Sequence, residues 1–268
     1  MPRRSANMEI MVRAALRAAR SLVRDFGEVE QLQVSIKGPA DFVSAADRRA
    51  EQIIFEELRR ARPGWGFLLE ESGEVVGEDR ERRWIVDPLD GTTNFLHGVP
   101  HWAISIALEE RGEITAGLIY DPVKNEMFVA EKGEGAYMNE RRIRVSSRRE
   151  MGAALIGCGL PVGVWEGRRT FGRQMERVAD QVVGLRRMGT ASLDLAYVAM
   201  GRQDGFWEFG LKPWDMAAGI LLVREAGGLV GRLEGDEALM SKGTLVAGNP
   251  WIYEKLRATL EAVTQGNG

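Results

Sequence analysis

The spacing of apolar residues changes along the chain. Between positions 8 and 26, Ile10, Val12, Leu16, Leu22 and Val23 recur at mixed three- and four-residue intervals among Ala and Arg. This predicts an amphipathic helix, ended by Gly27. Positions 31–36 alternate and predict a strand. Positions 44–60 place Ala50, Ile53, Ile54 and Leu58 on one face of a second helix, stopped by Pro63 and Gly64. Short apolar strands are expected at 66–69 and at 83–86, the latter ending at Asp87 and Pro88. From Trp102 to Val145 the period falls to two, in segments 103–108, 114–120, 126–130 and 135–138. Gly and Asp-Pro turns separate them, the signature of an antiparallel meander.

After Ser146 the pattern changes again. Strands at 154–157, 184–188 and 205–208 alternate with helices at 168–180, 192–200 and 214–226. Strands near Leu229 and Leu245 and a helix over 250–263 close the chain. A meander followed by alternating elements predicts a layered α/β (α+β) sandwich. The expected organisation is a loose tail at 1–7 and a single domain at 8–268, with lobes at 8–146 and 147–268. No internal repeat, low-complexity tract or flexible linker interrupts it.

Composition narrows the function. The 268 residues carry a formal net charge of −3, so the chain has no general attraction for nucleic acid or anionic membrane. Any phosphate it binds must be held by local donors or bound cations. Cys158 is the one cysteine, which rules out an intrachain disulfide and fits a reducing compartment. No apolar run approaches membrane-spanning length. Arginines interrupt positions 1–24 throughout, unlike a secretory signal, so a cytoplasmic location is expected. A phosphate-binding Walker loop, a dinucleotide glycine fingerprint and a Gly-x-Ser-x-Gly elbow are all missing. His97 and His101 have zinc-like spacing, but Pro100 lies between them, and they are read as loop residues without a metal role.

The chemistry concentrates in four segments. In the first, an apolar strand delivers Asp87 and Asp90, followed by Gly91, Thr92, Thr93, Asn94 and Phe95. Pro88 is expected to prevent continued strand pairing and turn the chain sharply. Two carboxylates at a strand end, before free backbone N–H groups, suit hard cations and a phosphate together. The other three segments are weaker alone. Ser44 and Asp47 also read as a capping box, Glu70 and Glu71 as a solvated acidic loop, and Asp215 as a helix-start carboxylate.

Together these segments resemble the inositol monophosphatase family over nearly the whole chain, from about Met8 to the last helix. The run from Val86 to Phe95 and the run from Trp214 through Gly219 to Gly228 carry most of the resemblance. The segments 189–196 and 204–208 add to it. The resemblance implies a layered αβαβα sandwich, usually dimeric, that hydrolyses a small phosphate monoester with magnesium. It implies that Glu70, Asp87, Asp90, Asp215 and the carbonyl of Leu89 hold the metal. Thr92 and Glu70 would activate the attacking water, with Asp47 supporting Thr92. Asp90, Gly91 and Thr92 would meet the phosphate. Gly189, Thr190, Ala191 and Glu208 would face the alcohol, and Lys37 would lie near the site. The favoured substrate is myo-inositol 1-phosphate. Fructose 1,6-bisphosphate, histidinol phosphate and adenosine 3′,5′-bisphosphate remain alternatives, as does a regulatory protein on the same fold. Two departures stand out: Ser44 replaces a more usual Thr, and Gly157-Cys158-Gly159-Leu160-Pro161 replaces a more usual Thr-Gly-Phe-Pro-like segment.

Overall fold

The structure is a computed structural model that describes residues 4–28, 34–38, 41–160, 167–233 and 239–266, with backbone alone for 34–38, 41–44 and 241–242. The side chains of Lys37 and Ser44, the segment 31–33 of the first expected strand, and Pro161 lie outside the described residues. In chain order the elements are α1 (Ala6–Phe26), β1 (Val34–Gly38), β2 (Asp41–Ser44), α2 (Ala45–Ala61), β3 (Trp65–Leu69), β4 (Gly73–Val75), β5 (Asp79–Asp90), α3 (Thr92–Leu96), β6 (Ala103–Glu110), β7 (Glu113–Asp121), β8 (Glu126–Glu131), β9 (Gly135–Met138) and β10 (Arg141–Ile143). They continue with β11 (Leu155–Cys158), α4 (Arg168–Ala179), β12 (Gly184–Arg186), α5 (Ala191–Ala199), β13 (Gly205–Glu208), α6 (Pro213–Glu225), β14 (Leu229–Gly231), α7 (Leu239–Lys242), β15 (Leu245–Gly248) and α8 (Pro250–Thr264).

Three layers of helix enclose two large sheets. Helices α1 and α2 pair and cover one face of the sheet ordered β10-β9-β8-β7-β6-β5-β3-β4. Helices α5 and α6 pack between that sheet and the sheet ordered β12-β11-β13-β15-β14. Helices α4 and α8 cover the outer face of the second sheet. The expected αβαβα sandwich is therefore borne out.

Side-chain size sorts along the pleat. On β6, Ile104, Ile106 and Leu108 face α1 and α2, while Ala103 and Ala107 face the middle layer. A strand alternates its faces every residue, so one short sequence serves two cores. The small residues let α6 come close. A Cβ on Gly117 of β7 would lie 2.9 Å from the carbonyl oxygen of Ala218, and one on Gly219 would lie 2.5 Å from Leu195. The Ala217-Ala218-Gly219 run is thus a packing surface that fixes the height of α6 above the sheet.

Three expectations are corrected. Helix α1 begins at Ala6, where the Ser5 hydroxyl accepts the Met8 N–H at 3.1 Å, so positions 4–7 are not a loose tail. Residues Asp41–Ser44 form a strand, so α2 starts at Ala45 rather than at Ser44. Strand β5 does not stop at Pro88. Its ladder with β6 slips between Asp87 and Asp90 and resumes at Asp90 opposite Ala103. Proline has no N–H to give a ladder, and a bulge is where a strand tolerates it.

Replacing Gly117 by Ala is expected to cost about 1–3 kcal/mol by overpacking the sheet against α6. Urea unfolding followed by circular dichroism measures this, and an unchanged midpoint would show that α6 can retreat without cost.

Candidate active site

The β5 bulge aims its two aspartates at the edge of the middle layer. Asp87 is buried, and its Oδ1 accepts the Leu89 N–H at 2.9 Å. Asp90 Oδ2 accepts the Ser192 N–H, from the first turn of α5, at 2.7 Å. Gly91 follows with φ of 90° and caps α3. Glycine is required there twice over. The backbone is left-handed, and a Cβ would lie 2.4 Å from Thr190 Oγ1. Thr92 then turns its hydroxyl to Asp47 Oδ1 at 3.1 Å and to the Leu89 carbonyl at 3.0 Å. Asp47 is buried in the first turn of α2.

Glu70 follows β3 and stays in line with β5 through its N–H to the Val86 carbonyl, 3.2 Å. The turn after it is held from α2. Buried Glu51 accepts the Glu71 N–H at 2.8 Å and the Ser72 hydroxyl. Asp215 closes the start of α6, accepting the Lys212 N–H at 2.7 Å. It stands in the first turn of α6, as the helix-start reading expects, and Asp215 still acts on Asp87 through space. Glu225, in the same run, serves structure instead. It accepts the N–H groups of Gly133 and Gly135, both at 2.8 Å.

These carboxylates feel one another. Burial first, then Glu70, Asp90 and Asp215, push Asp87 well above the ordinary carboxylate range. Burial raises Asp90 to about 6 against the hydrogen bonds from Ser192. Burial and then Asp90 raise Asp215 to about 7. Glu208 is pushed well up by burial, then by Asp194, Asp215 and Asp90. Asp90, Asp215 and Glu208 keep an edge accessible along a cleft of about 230 Å³, which Gly91, Thr92, Asn94, Gly159, Arg187, Gly189 and Ala191 also line. Of the expected site residues, Asp90, Gly91, Thr92, Gly189, Ala191, Glu208 and Asp215 line this cleft. Asp47, Glu70, Asp87 and Thr190 stand just behind it, through Thr92, Asp87, Asp215 and Gly91 respectively.

Among the described residues, no three His, Cys, Asp or Glu side chains already stand in an arrangement that could hold a metal ion. The fit of a cation rests on donor chemistry. Glu70, Asp90 and Asp215 raise Asp87 at the end of the bulge, and a hard divalent ion bound by oxygens removes such repulsion. Neither histidine competes. His97 follows α3 in the loop, and buried His101 is lowered to about 4, by burial first and Lys124 next. Burial lifts the Cys158 thiol to about 12, which removes it as a nucleophile.

Sequence reasoning missed two parts. Asn94 ties the halves of the site together, donating from Nδ2 to the carbonyls of His101 and Met188, both 2.9 Å away, and to Thr190 Oγ1 at 3.3 Å. Gly159 makes room for Glu208, because a Cβ there would lie 1.8 Å from its carboxyl carbon. The departure at 157–160 carried that second signal, since only Gly fits beside the acid.

A layered α/β fold with a carboxylate-lined cleft at the strand ends defines a phosphatase of the layered sandwich class. The inositol monophosphatase family profile matches residues 5–265, and the chain belongs to that family, whose members are metal-dependent. It is 56% identical over 260 residues to an inositol-1-monophosphatase of Mesorhizobium japonicum, covering 97% of each chain. It is 45% identical to the Nus factor SuhB of Pseudomonas aeruginosa, covering 95% of this chain and 97% of that one. The crystal structure of the extragenic suppressor protein suhB from Bartonella henselae is 57% identical with a TM-score of 0.93, covering 96% of this chain and 99% of that one.

Asn94→Asp would set a carboxylate against three acceptors, and is expected to cost more stability than Asn94→Ala, itself worth about 1–3 kcal/mol. Chemical denaturation of both variants checks the order. Equal losses would mean that the amide donors of Asn94 do not hold the 188–190 turn.

Proposed function

We propose that this chain hydrolyses myo-inositol 1-phosphate to inositol and phosphate, with Mg2+ as cofactor and without a covalent phosphoenzyme. The observation that carries the reading is the convergence of carboxylates on the Thr92-lined cleft: Asp90 and Asp215 line it, and Asp87 behind them is raised by Glu70, Asp90 and Asp215. The 56% identical relative named inositol-1-monophosphatase supports the substrate.

In this reading Glu70, Asp87, Asp90, Asp215 and the Leu89 carbonyl hold the cation. Magnesium supplies, when bound, positive charge for the phosphate oxygens and a stronger water nucleophile. The remaining work falls to the chain. The Thr92 hydroxyl donates to Asp47, which turns its lone pairs outward to accept a hydrogen bond from the attacking water and orient it. Glu70 serves as the general base for that water. Asp90 marks the phosphate end of the cleft, where the N–H groups of Gly91 and Thr92 meet the phosphate charge. Gly189, Thr190, Ala191 and Glu208 face the alcohol. A homodimer acting in the cytoplasm, with no nucleic acid or membrane partner, belongs to the same reading. No helix among the described residues is long and apolar enough to cross a membrane. The relative named Nus factor SuhB supports a second reading, a regulatory protein on this fold.

Phosphate release from inositol 1-phosphate, fructose 1,6-bisphosphate, histidinol phosphate and adenosine 3′,5′-bisphosphate, with and without Mg2+, tests the proposal. Magnesium-dependent turnover highest on inositol 1-phosphate is expected. A higher rate on another ester would replace the substrate, and no release from folded protein would favour the regulatory reading. Asp90→Asn is expected to lower turnover by at least the order of 10²-fold while the fold survives. Added Mg2+ should raise the thermal midpoint of the wild type, and raise that of Asp90→Asn less. Equal shifts in the two proteins would remove Asp90 from the cation site.

A further inference from the structure

The alcohol end of the cleft holds a group that none of the assignments above uses. Arg187 lies in the turn between β12 and α5, is exposed, and lines the cleft together with Glu208, Gly189 and Ala191. It is the one cationic side chain among the described residues that line the cleft, which it shares with Asp90, Glu208 and Asp215. Its neighbour Arg186 turns back, donating from Nη1 to the Leu185 carbonyl at 2.9 Å. Among the described residues, no carboxylate forms an ion pair or hydrogen bond with Arg187. Its charge is nevertheless felt at Glu208 and at Asp194 behind it, where it opposes the upward shift of both acids.

We propose that Arg187 is a specificity residue that, with Glu208, reads the hydroxyl groups of a neutral polyol leaving group. The inference rests on the phosphatase reading above. Its physical basis is the pairing of functions at one end of the cleft. A guanidinium only donates and a carboxylate mainly accepts, whereas each hydroxyl of a polyol does both. Neighbouring hydroxyls can therefore accept from Arg187 and donate to Glu208. A second phosphate would fit less well. It only accepts, and it would sit against Glu208 with a single arginine set among three carboxylates. Arginine's fixed fork suits two oxygens on adjacent carbons better than lysine's single point charge.

The test is steady-state kinetics of the wild type, Arg187→Ala, Arg187→Lys and Arg186→Ala at saturating Mg2+. The substrates are inositol 1-phosphate, fructose 1,6-bisphosphate and p-nitrophenyl phosphate, whose leaving group has no vicinal hydroxyls. The quantity read is kcat/KM for inositol 1-phosphate divided by that for p-nitrophenyl phosphate. Arg187→Ala is expected to lower this ratio about tenfold or more, the worth of a hydrogen bond to a charged group, mainly through KM. It should weaken competitive inhibition by free inositol to the same extent. Arg187→Lys should recover part of the loss, and Arg186→Ala should match the wild type. An unchanged ratio, an equal loss on all three esters, or a loss confined to the bisphosphate would overturn the inference while leaving the phosphatase reading in place. A wild type that fails on inositol 1-phosphate would overturn both.

Discussion

Everything near the cleft answers to one constraint, the crowding of like charges. Asp87 and Asp90 arrive on the large sheet, Glu70 just after β3 beside them, Asp215 from the middle helical layer and Glu208 from the second sheet. Left alone, such a group would push the layers apart or take up protons. The fold answers by giving an oxygen of each aspartate a nearby backbone donor: Leu89 for Asp87, Ser192 for Asp90, Lys212 for Asp215. Each of these three carboxylates is thus oriented by the main chain itself. The small residues of α6 serve the same end. If that helix stood a side chain higher above β7, Asp215 would leave the group.

Elements built from a strong period were legible in the sequence. The alternation in 103–138 gave the meander its order, and the apolar run before Asp87 located the acidic strand end. What was not legible depended on neighbours far away in the chain. Pro88 looked like a stop because its missing N–H was read locally, whereas the bulge depends on where Ala103 pairs. Strands β4 and β10 are three residues each, too short to show a period, and exist because a longer strand lies beside them. Asp215 satisfied both readings at once, as a helix cap and as a member of the charged group. The departure at 157–160 marked Gly159 in the sequence, but its reason shows only with Glu208 against it.

The amide of Asn94 reaches Met188, and Asp90 reaches Ser192, across separations of 94 and 102 residues. Contacts that span so much chain form late in folding, because a long loop must close before they return any free energy. On the ribosome, the half carrying the meander leaves the exit tunnel with its acidic strand end already written but not yet assembled. Competence for catalysis then arrives only once α5 and α6 have been synthesised and have docked. A premature stop before Asp215 would release a chain that holds the whole acidic strand motif and Glu208 but lacks the carboxylate that α6 brings.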